Sequence, residues 1–172
     1  MHATEAFGRM CLIAVFAWSG VMKFRGRGEF RQHMLRTFAL PSWCTDALVV
    51  AVPAVELCVA ALLLLRRPGW SGPVAALVLL SAFTVYLVRL MRLRPDASCG
   101  CAGADGAPVS GVHVVRNLIL LALCLTTWWV SSQPTAPSMV NQAVFAVPAA
   151  VTGIALLYLA ELASFFRTPH TN

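Results

Sequence analysis

The fold of this chain is decided by its apolar runs, the clearest of which is DALVVAVPAVELCVAALLLL, residues 46–65. About 20 predominantly apolar residues are enough for a helix to cross the hydrocarbon core of a bilayer. Four further runs approach that length, so the sequence predicts five membrane spans. They lie at residues 7–24, 46–65, 73–90, 112–130 and 140–162.

The composition of the 172-residue chain is typical of an integral membrane protein. Hydrophobic residues make up 59% and charged residues 12%, whereas soluble domains average about 45–50% and 25%. A water-soluble domain of this size cannot bury so much apolar surface. We therefore predict one domain, residues 1–172, that is an all-α polytopic membrane protein. It has a four-helix transmembrane core plus a fifth transmembrane helix, and membrane lipid surrounds it.

The charges predict how the chain is oriented. Lysine and arginine total 13 against seven acidic residues, but no basic patch carries interleaved aromatic residues, so nucleic acid is not a predicted partner. Because successive spans alternate in direction, most of the cations are predicted on one side of the membrane. The chain is predicted to lie in the cell (plasma) membrane, and the positive-inside rule places the cation-rich side in the cytoplasm. These cations are Lys23, Arg25, Arg27, Arg31, Arg36, Arg89, Arg92, Arg94, Arg116 and Arg167.

The sharpest local signal is Cys99-Gly100-Cys101, in the one glycine-rich polar loop. Two thiols separated by one glycine can pair only in a strained ring, and a strained, accessible disulfide is suited to exchange. Cys44 is predicted on the same membrane face, where it could relay a disulfide. Two alternatives stay open: a Zn²⁺ or Cu(I) site completed by His113 or Cys44, and a purely structural clip.

Three charged residues are out of place in an apolar chain. Glu56 lies roughly 15 Å into the second span, where an unpaired carboxylate is costly. It is predicted either to pair with Lys23, at the end of the first span, or to serve a proton- or quinone-binding role. Arg116, near the start of the fourth span, either reaches the lipid headgroups or stabilises a cysteine thiolate.

Several of these motifs together resemble a known family. Ser19-Gly20-Val21-Met22-Lys23 is similar to the Ser-Gly-x-x-Lys signature of DoxX-like membrane proteins, and Pro53-Ala54-Val55-Glu56 is similar to the Pro-x-x-Glu of their second helix. Cys99-Gly100-Cys101-Ala102-Gly103, followed by Arg116-Asn117, resembles the pattern of the MauE (methylamine utilisation protein) branch. Ala102 departs from that pattern, which has an aromatic residue there.

The resemblance implies a redox-associated membrane protein that supports disulfide formation or maturation of a partner, as in methylamine dehydrogenase maturation, with a thioredoxin-like partner. It also implies a thiol–disulfide oxidoreductase similar to DsbB and vitamin K epoxide reductase. Our hypothesis is that Cys99 and Cys101 are the exchanging pair, that Arg116 stabilises a thiolate and that Cys44 is an auxiliary thiol. Glu56 and Lys23 are predicted to line a buried polar or quinone site. The competing hypothesis is a non-enzymatic scaffold or metal-binding maturation factor. Disulfide formation belongs outside the cytoplasm, whereas the charge distribution places the cysteine loop inside.

Overall fold

The computed structural model describes residues 2–37, 41–65, 69–93, 111–132 and 139–159. These residues form helices and short turns without a strand, which confirms the predicted all-α membrane fold. The helices are α1 (His2–Arg25), α2 (Arg27–Thr37), α3 (Ser42–Leu65), α4 (Ser71–Leu93), α5 (Gly111–Ser131) and α6 (Met139–Leu157).

Within the described ranges, four helices are long and apolar enough to cross a membrane: α1, α3, α4 and α5. They coincide with the first four predicted spans and extend them by up to about five residues at an end. Helix α6 overlaps the fifth predicted span, residues 140–162, and includes the apolar stretch Ala143–Leu157, while residues 160–162 lie outside the described ranges. Length and composition of the described residues therefore support four spans, and the fifth span stays a prediction.

The four long helices form a closed bundle. Helix α1 packs against α3 and α5, and α4 packs against the same two helices, while α6 lies outside the ring against α1. Because consecutive long helices run antiparallel, the last turns of α1 and α4 lie at the same end as the first turns of α3 and α5. We call this the α2 end, since α2 also lies there, and the opposite end, where α1 begins, the Arg9 end.

Small residues bring the helices close together. A Cβ atom added to Gly72 of α4 would lie 2.8 Å from the backbone of Leu63 in α3, and one added to Gly153 of α6 would lie 2.9 Å from the carbonyl oxygen of Cys11 in α1. In lipid, helices associate through such close van der Waals contact rather than through exclusion of water. The buried apolar core between them includes Leu12, Phe16, Leu63, Leu80 and Leu120.

Helix α2 is an amphipathic helix that the sequence analysis did not predict. One turn residue, Gly26, separates it from α1, and its apolar side places Phe30 and Met34 against α3. On its outer side, Arg31 Nε donates a hydrogen bond to Asp46 Oδ1 of α3 at 2.5 Å, with both side chains about half exposed. This bond and the opposite charge of Asp46 raise the pKa of Arg31.

The close contact at Gly72 generates a stability prediction. The Gly72→Ala substitution forces its Cβ into the α3 backbone, so we expect it to lower the free energy of unfolding by about 1–3 kcal/mol. The measurement is equilibrium unfolding of the purified protein in bicelles. Gly28→Ala is the matched control, because nothing lies within 4 Å of its added Cβ and alanine favours a helix. Equal losses in both variants would contradict the tight α3–α4 contact.

Candidate functional site

Lys23, Glu56 and Ser19 form a buried polar cluster inside the bundle, at the α2 end. Lys23 and Ser19 are one turn apart on α1, and Glu56 comes from the middle of α3. The Lys23 Nζ lies 2.5 Å from Glu56 Oε1 and 2.6 Å from Ser19 Oγ, and Ser19 Oγ donates to Glu56 Oε1 at 3.0 Å. The predicted proximity of Lys23 and Glu56 is thus present as an ion pair.

The pair is almost fully removed from solvent, with Glu56 1% and Lys23 4% exposed. Removing two charges from water is expensive, so such a pair persists only with good geometry and further hydrogen bonds, which Ser19 supplies. The Phe83 ring centroid lies 5.5 Å from Lys23 Nζ and adds a cation–π contact. Together these contacts hold a neutral, polar patch within an apolar interior.

Arg116 is the second polar feature of this region. Its Nη1 donates to the carbonyl oxygen of Leu157 in α6 at 3.1 Å, and its Nη2 lies 3.4 Å from Asn117 Oδ1. The side chain is only 3% exposed, so the alternative in which it reaches the headgroups is wrong. Within the described residues its Nε has no hydrogen-bond partner.

A cavity of about 210 Å³ lies between these two polar features. All six helices contribute to it, and most of its wall is apolar. The polar side chains that line it are Ser19, Lys23, Glu56, Tyr86, Arg116 and Asn117. The apolar lining consists of Val15, Phe16, Phe30, Met34, Leu48, Val52, Leu80, Ala82, Phe83, Leu120 and Leu157.

The residues by which α2 and α4 complete this cavity were not predicted from the sequence. Phe30 and Met34 of α2 lie one helical turn apart and line it directly, and Tyr86 of α4 lines it beside them. The Tyr86 hydroxyl lies 3.5 Å from His33 Nε2. The spacing of Phe30, His33 and Met34 is the i, i+3, i+4 signal of an amphipathic helix, and it was the one sequence feature that pointed to α2.

Of the predicted redox residues, the structure describes only some. Cys99 and Cys101 lie in residues 94–110, outside the described ranges, so the relay, the metal site and the structural clip all remain predictions. That segment connects the last turn of α4 to the first turn of α5, and both turns belong to the α2 end. Cys44, a half-buried free thiol in the first turn of α3, lies at the same end.

The remaining cysteines separate into two kinds. Cys11 and Cys124 are fully buried in the apolar core, the position expected of small packing residues. Cys58 is exposed on the outer side of α3. Among the described residues, no three His, Cys, Asp or Glu side chains come together as a metal site would require, and His113 is buried in α5.

A second buried ion pair closes the Arg9 end. Arg9 Nε donates to Glu5 Oε1 at 2.9 Å, Nη1 to the carbonyl oxygen of Leu63 at 3.0 Å, and Nη2 to Gly69 O and Ser131 Oγ at 3.2 and 2.9 Å. Arg9 therefore ties α1 to the end of α3, the α3–α4 turn and the end of α5. This role of Arg9 was not predicted from the sequence, because a charge in the chain does not by itself reveal whether its side chain is buried.

The fold and this site define a multi-pass α-helical membrane protein with a polar-ended cavity inside its bundle. The family model described as "Methylamine utilisation protein MauE" matches residues 1–130, and the chain belongs to this family. It is 32% identical over 119 residues to the methylamine utilization protein MauE of Paracoccus denitrificans and 31% identical to that of Paracoccus versutus.

Each of these alignments covers 68% of this chain and 64% of the relative. No solved structure matches the chain at a significant level. The family match confirms the MauE part of the sequence-based identification, including the multi-pass membrane character. It bears on neither the wider DoxX-like grouping nor the thiol chemistry.

The buried pair generates a second stability prediction. Glu56→Gln leaves Lys23 charged and buried without its counter-ion, so we expect the free energy of unfolding to fall by about 3 kcal/mol or more. Lys23→Met combined with Glu56→Gln removes both charges and is expected to lose less than the sum of the two single variants. Equilibrium unfolding in bicelles measures all three.

The control is Asp46→Asn, which breaks the exposed pair with Arg31 at the same end of the bundle. Exposed pairs are screened by water and contribute little, so this variant is expected to unfold close to wild type. If Glu56→Gln behaves like Asp46→Asn, or if the losses simply add in the double variant, the ion pair is not the coupled unit described above.

Proposed function

We propose that this chain is a membrane thiol–disulfide relay that supports disulfide formation or maturation of a partner protein in a methylamine-utilisation process. The observation that carries the proposal is positional. The segment bearing Cys99 and Cys101 is anchored at the α2 end by α4 and α5, the same end at which the cavity, Arg116 and Cys44 lie. MauE family membership supports the process.

In the proposed exchange, the Cys99–Cys101 disulfide is reduced to two thiols while a dithiol of a thioredoxin-like partner is oxidised to a disulfide. One partner thiolate attacks a sulfur of the pair and forms a mixed disulfide. The second partner thiolate attacks that bond and releases the fully reduced pair. Two electrons and two protons pass from the partner to this chain, and Arg116 and Cys44 are proposed to favour the thiolate and to relay the bond.

A quinone would supply the two-electron acceptor that regenerates the disulfide. The residues present fit a quinone ring, since the cavity walls are apolar and hydrogen-bond donors line it at two places, Lys23 and Arg116. Its volume of about 210 Å³ exceeds the roughly 150 Å³ that accommodates a benzene ring. Lys23 and Arg116 would hold the ring oxygens, and Glu56 would keep Lys23 in position.

The orientation of the cavity end in the cell membrane is part of the proposal. Exposed or half-exposed cations cluster there even after the buried Lys23 and Arg116 are set aside, namely Arg25, Arg27, Arg31, Arg36, Arg89 and Arg92. This bias favours the cytoplasm, where the relay would work with a cytosolic thioredoxin-like protein. An outward-facing end would instead serve partners that keep disulfides.

Thiol trapping in intact cells tests the relay. A membrane-permeant maleimide is applied before and after reduction to wild type, Cys99→Ser and Cys101→Ser, with Cys58→Ser as the matched control on the outer side of α3. In parallel samples a membrane-impermeant maleimide is applied first, so that only outward-facing thiols are blocked. We expect labelling of the pair to rise after reduction, and one serine variant to accumulate a mixed disulfide with a thioredoxin-like protein. The labelling pattern also reports which side the segment faces. A pair that is fully reduced throughout, without any mixed disulfide, would contradict the relay.

Solvent extraction of the purified protein tests the quinone. We expect about one quinone per chain in wild type and in Asp46→Asn, and at least a tenfold loss in Glu56→Gln, because Lys23 then lacks the carboxylate that positions it. The extract is quantified by its ultraviolet difference spectrum on reduction. Finding no quinone in the wild type, or equal amounts in Glu56→Gln, excludes the quinone from this cavity.

A further inference from the structure

The charges around the cavity do not balance within the described residues. Lys23 and Glu56 neutralise each other, which leaves the guanidinium of Arg116 as an additional positive charge in the lining. Both of its hydrogen-bonded partners, Leu157 O and Asn117 Oδ1, are neutral oxygens. The described lining of the cavity therefore carries a net charge of +1.

No described carboxylate is placed to neutralise Arg116. Glu5 pairs with Arg9 at the opposite end, Asp46 pairs with Arg31, and Glu29 lies exposed on α2. A cation that is 97% buried costs several kcal/mol unless an anion or several hydrogen bonds compensate it. Two neutral acceptors compensate the guanidinium only in part.

The position of the unused donor indicates where the compensating group belongs. Arg116 lines the cavity, and its buried Nε is without a hydrogen-bond partner among the described residues. Buried hydrogen-bond donors nearly always have an acceptor. A buried donor without one, next to a cavity, therefore indicates that the cavity binds a group that accepts the hydrogen bond. An oxyanion there would both accept the Nε–H and neutralise the charge.

The size and the apolar wall of the cavity indicate what the remainder of the ligand is. Apart from its polar side chains the wall is built of aliphatic and aromatic residues, and the volume of about 210 Å³ is somewhat larger than the roughly 150 Å³ that holds benzene. An apolar body of one ring or a short acyl chain fills such a space, whereas a fully hydrated anion does not.

We propose that the cavity binds an amphiphilic carboxylate, whose oxyanion pairs with Arg116 through Nε and whose apolar body lies between Phe16, Phe83 and Leu120. The site does not depend on the thiol relay. It shares the cavity with the proposed quinone but needs a different chemistry, a negative charge, so either proposal can fail without the other.

The test compares octanoate with octanol, which has the same chain length without the charge. Wild-type protein is placed in phosphatidylcholine nanodiscs, and binding of each isotopically labelled probe is measured by equilibrium dialysis and corrected with empty nanodiscs. A charged hydrogen bond contributes about 1.5–3 kcal/mol, so octanoate is expected to bind roughly tenfold to hundredfold more tightly than octanol. Octylamine, with the opposite charge, is expected to bind more weakly than octanol.

Variants locate the preference. Arg116→Gln is expected to bring octanoate down to the level of octanol, while Arg31→Gln, which removes an exposed cation of α2 away from the cavity, is expected to keep the full preference. Equal binding of octanoate and octanol to wild type overturns the proposal. Equal binding is the result expected if Glu161, outside the described residues, already neutralises Arg116. An equal loss in Arg31→Gln also overturns it, because the preference would then come from surface charge. The wild-type comparison stands even if Arg116→Gln fails to fold.

Discussion

A buried cation in a membrane protein needs oxygen atoms around it, and this requirement shapes the bundle. Three of the described cations, Arg9, Lys23 and Arg116, are almost fully buried. Arg9 binds a carboxylate and three further oxygens from other elements, and Lys23 binds a carboxylate and a hydroxyl. Because each set of oxygens comes from at least two helices, satisfying these cations fixes how α1, α3 and α5 are placed relative to one another.

The two ends of the bundle surround their buried cations in different ways. At the Arg9 end the polar atoms fill the space between helices, and the result resembles a structural clamp. At the α2 end the polar atoms surround a cavity, and one of their donors, Arg116 Nε, is unused among the described residues. A clamp has no need of empty volume, so the α2 end is the part of the molecule where chemistry is expected, and the cysteine-bearing segment is anchored there.

The sequence predicted the fold well because the bilayer imposes a simple rule. Runs such as residues 46–65 and 112–130 are long and apolar, and their helical state follows from the need to satisfy backbone groups within the segment. Glu56 and Lys23 were identified for the same reason, since a charge in such a run is conspicuous. Helix α2 was missed because it is short and mostly polar. The role of its two buried apolar residues, Phe30 and Met34, is visible only once the helices that they pack against are in place.

The sequence by itself predicted an all-α membrane protein with five apolar runs and motifs of the MauE family, and the described residues show four of those runs as helices long enough to cross a membrane. Only the tertiary structure decided which charges are buried and what they bind. It placed the side chains of Arg9 and Arg116 inside the bundle and brought Tyr86, Phe30 and Met34 together around one cavity. The physical reason is that hydrophobicity is a property of each segment, whereas the partner of a buried charge comes from a helix that is distant in the chain.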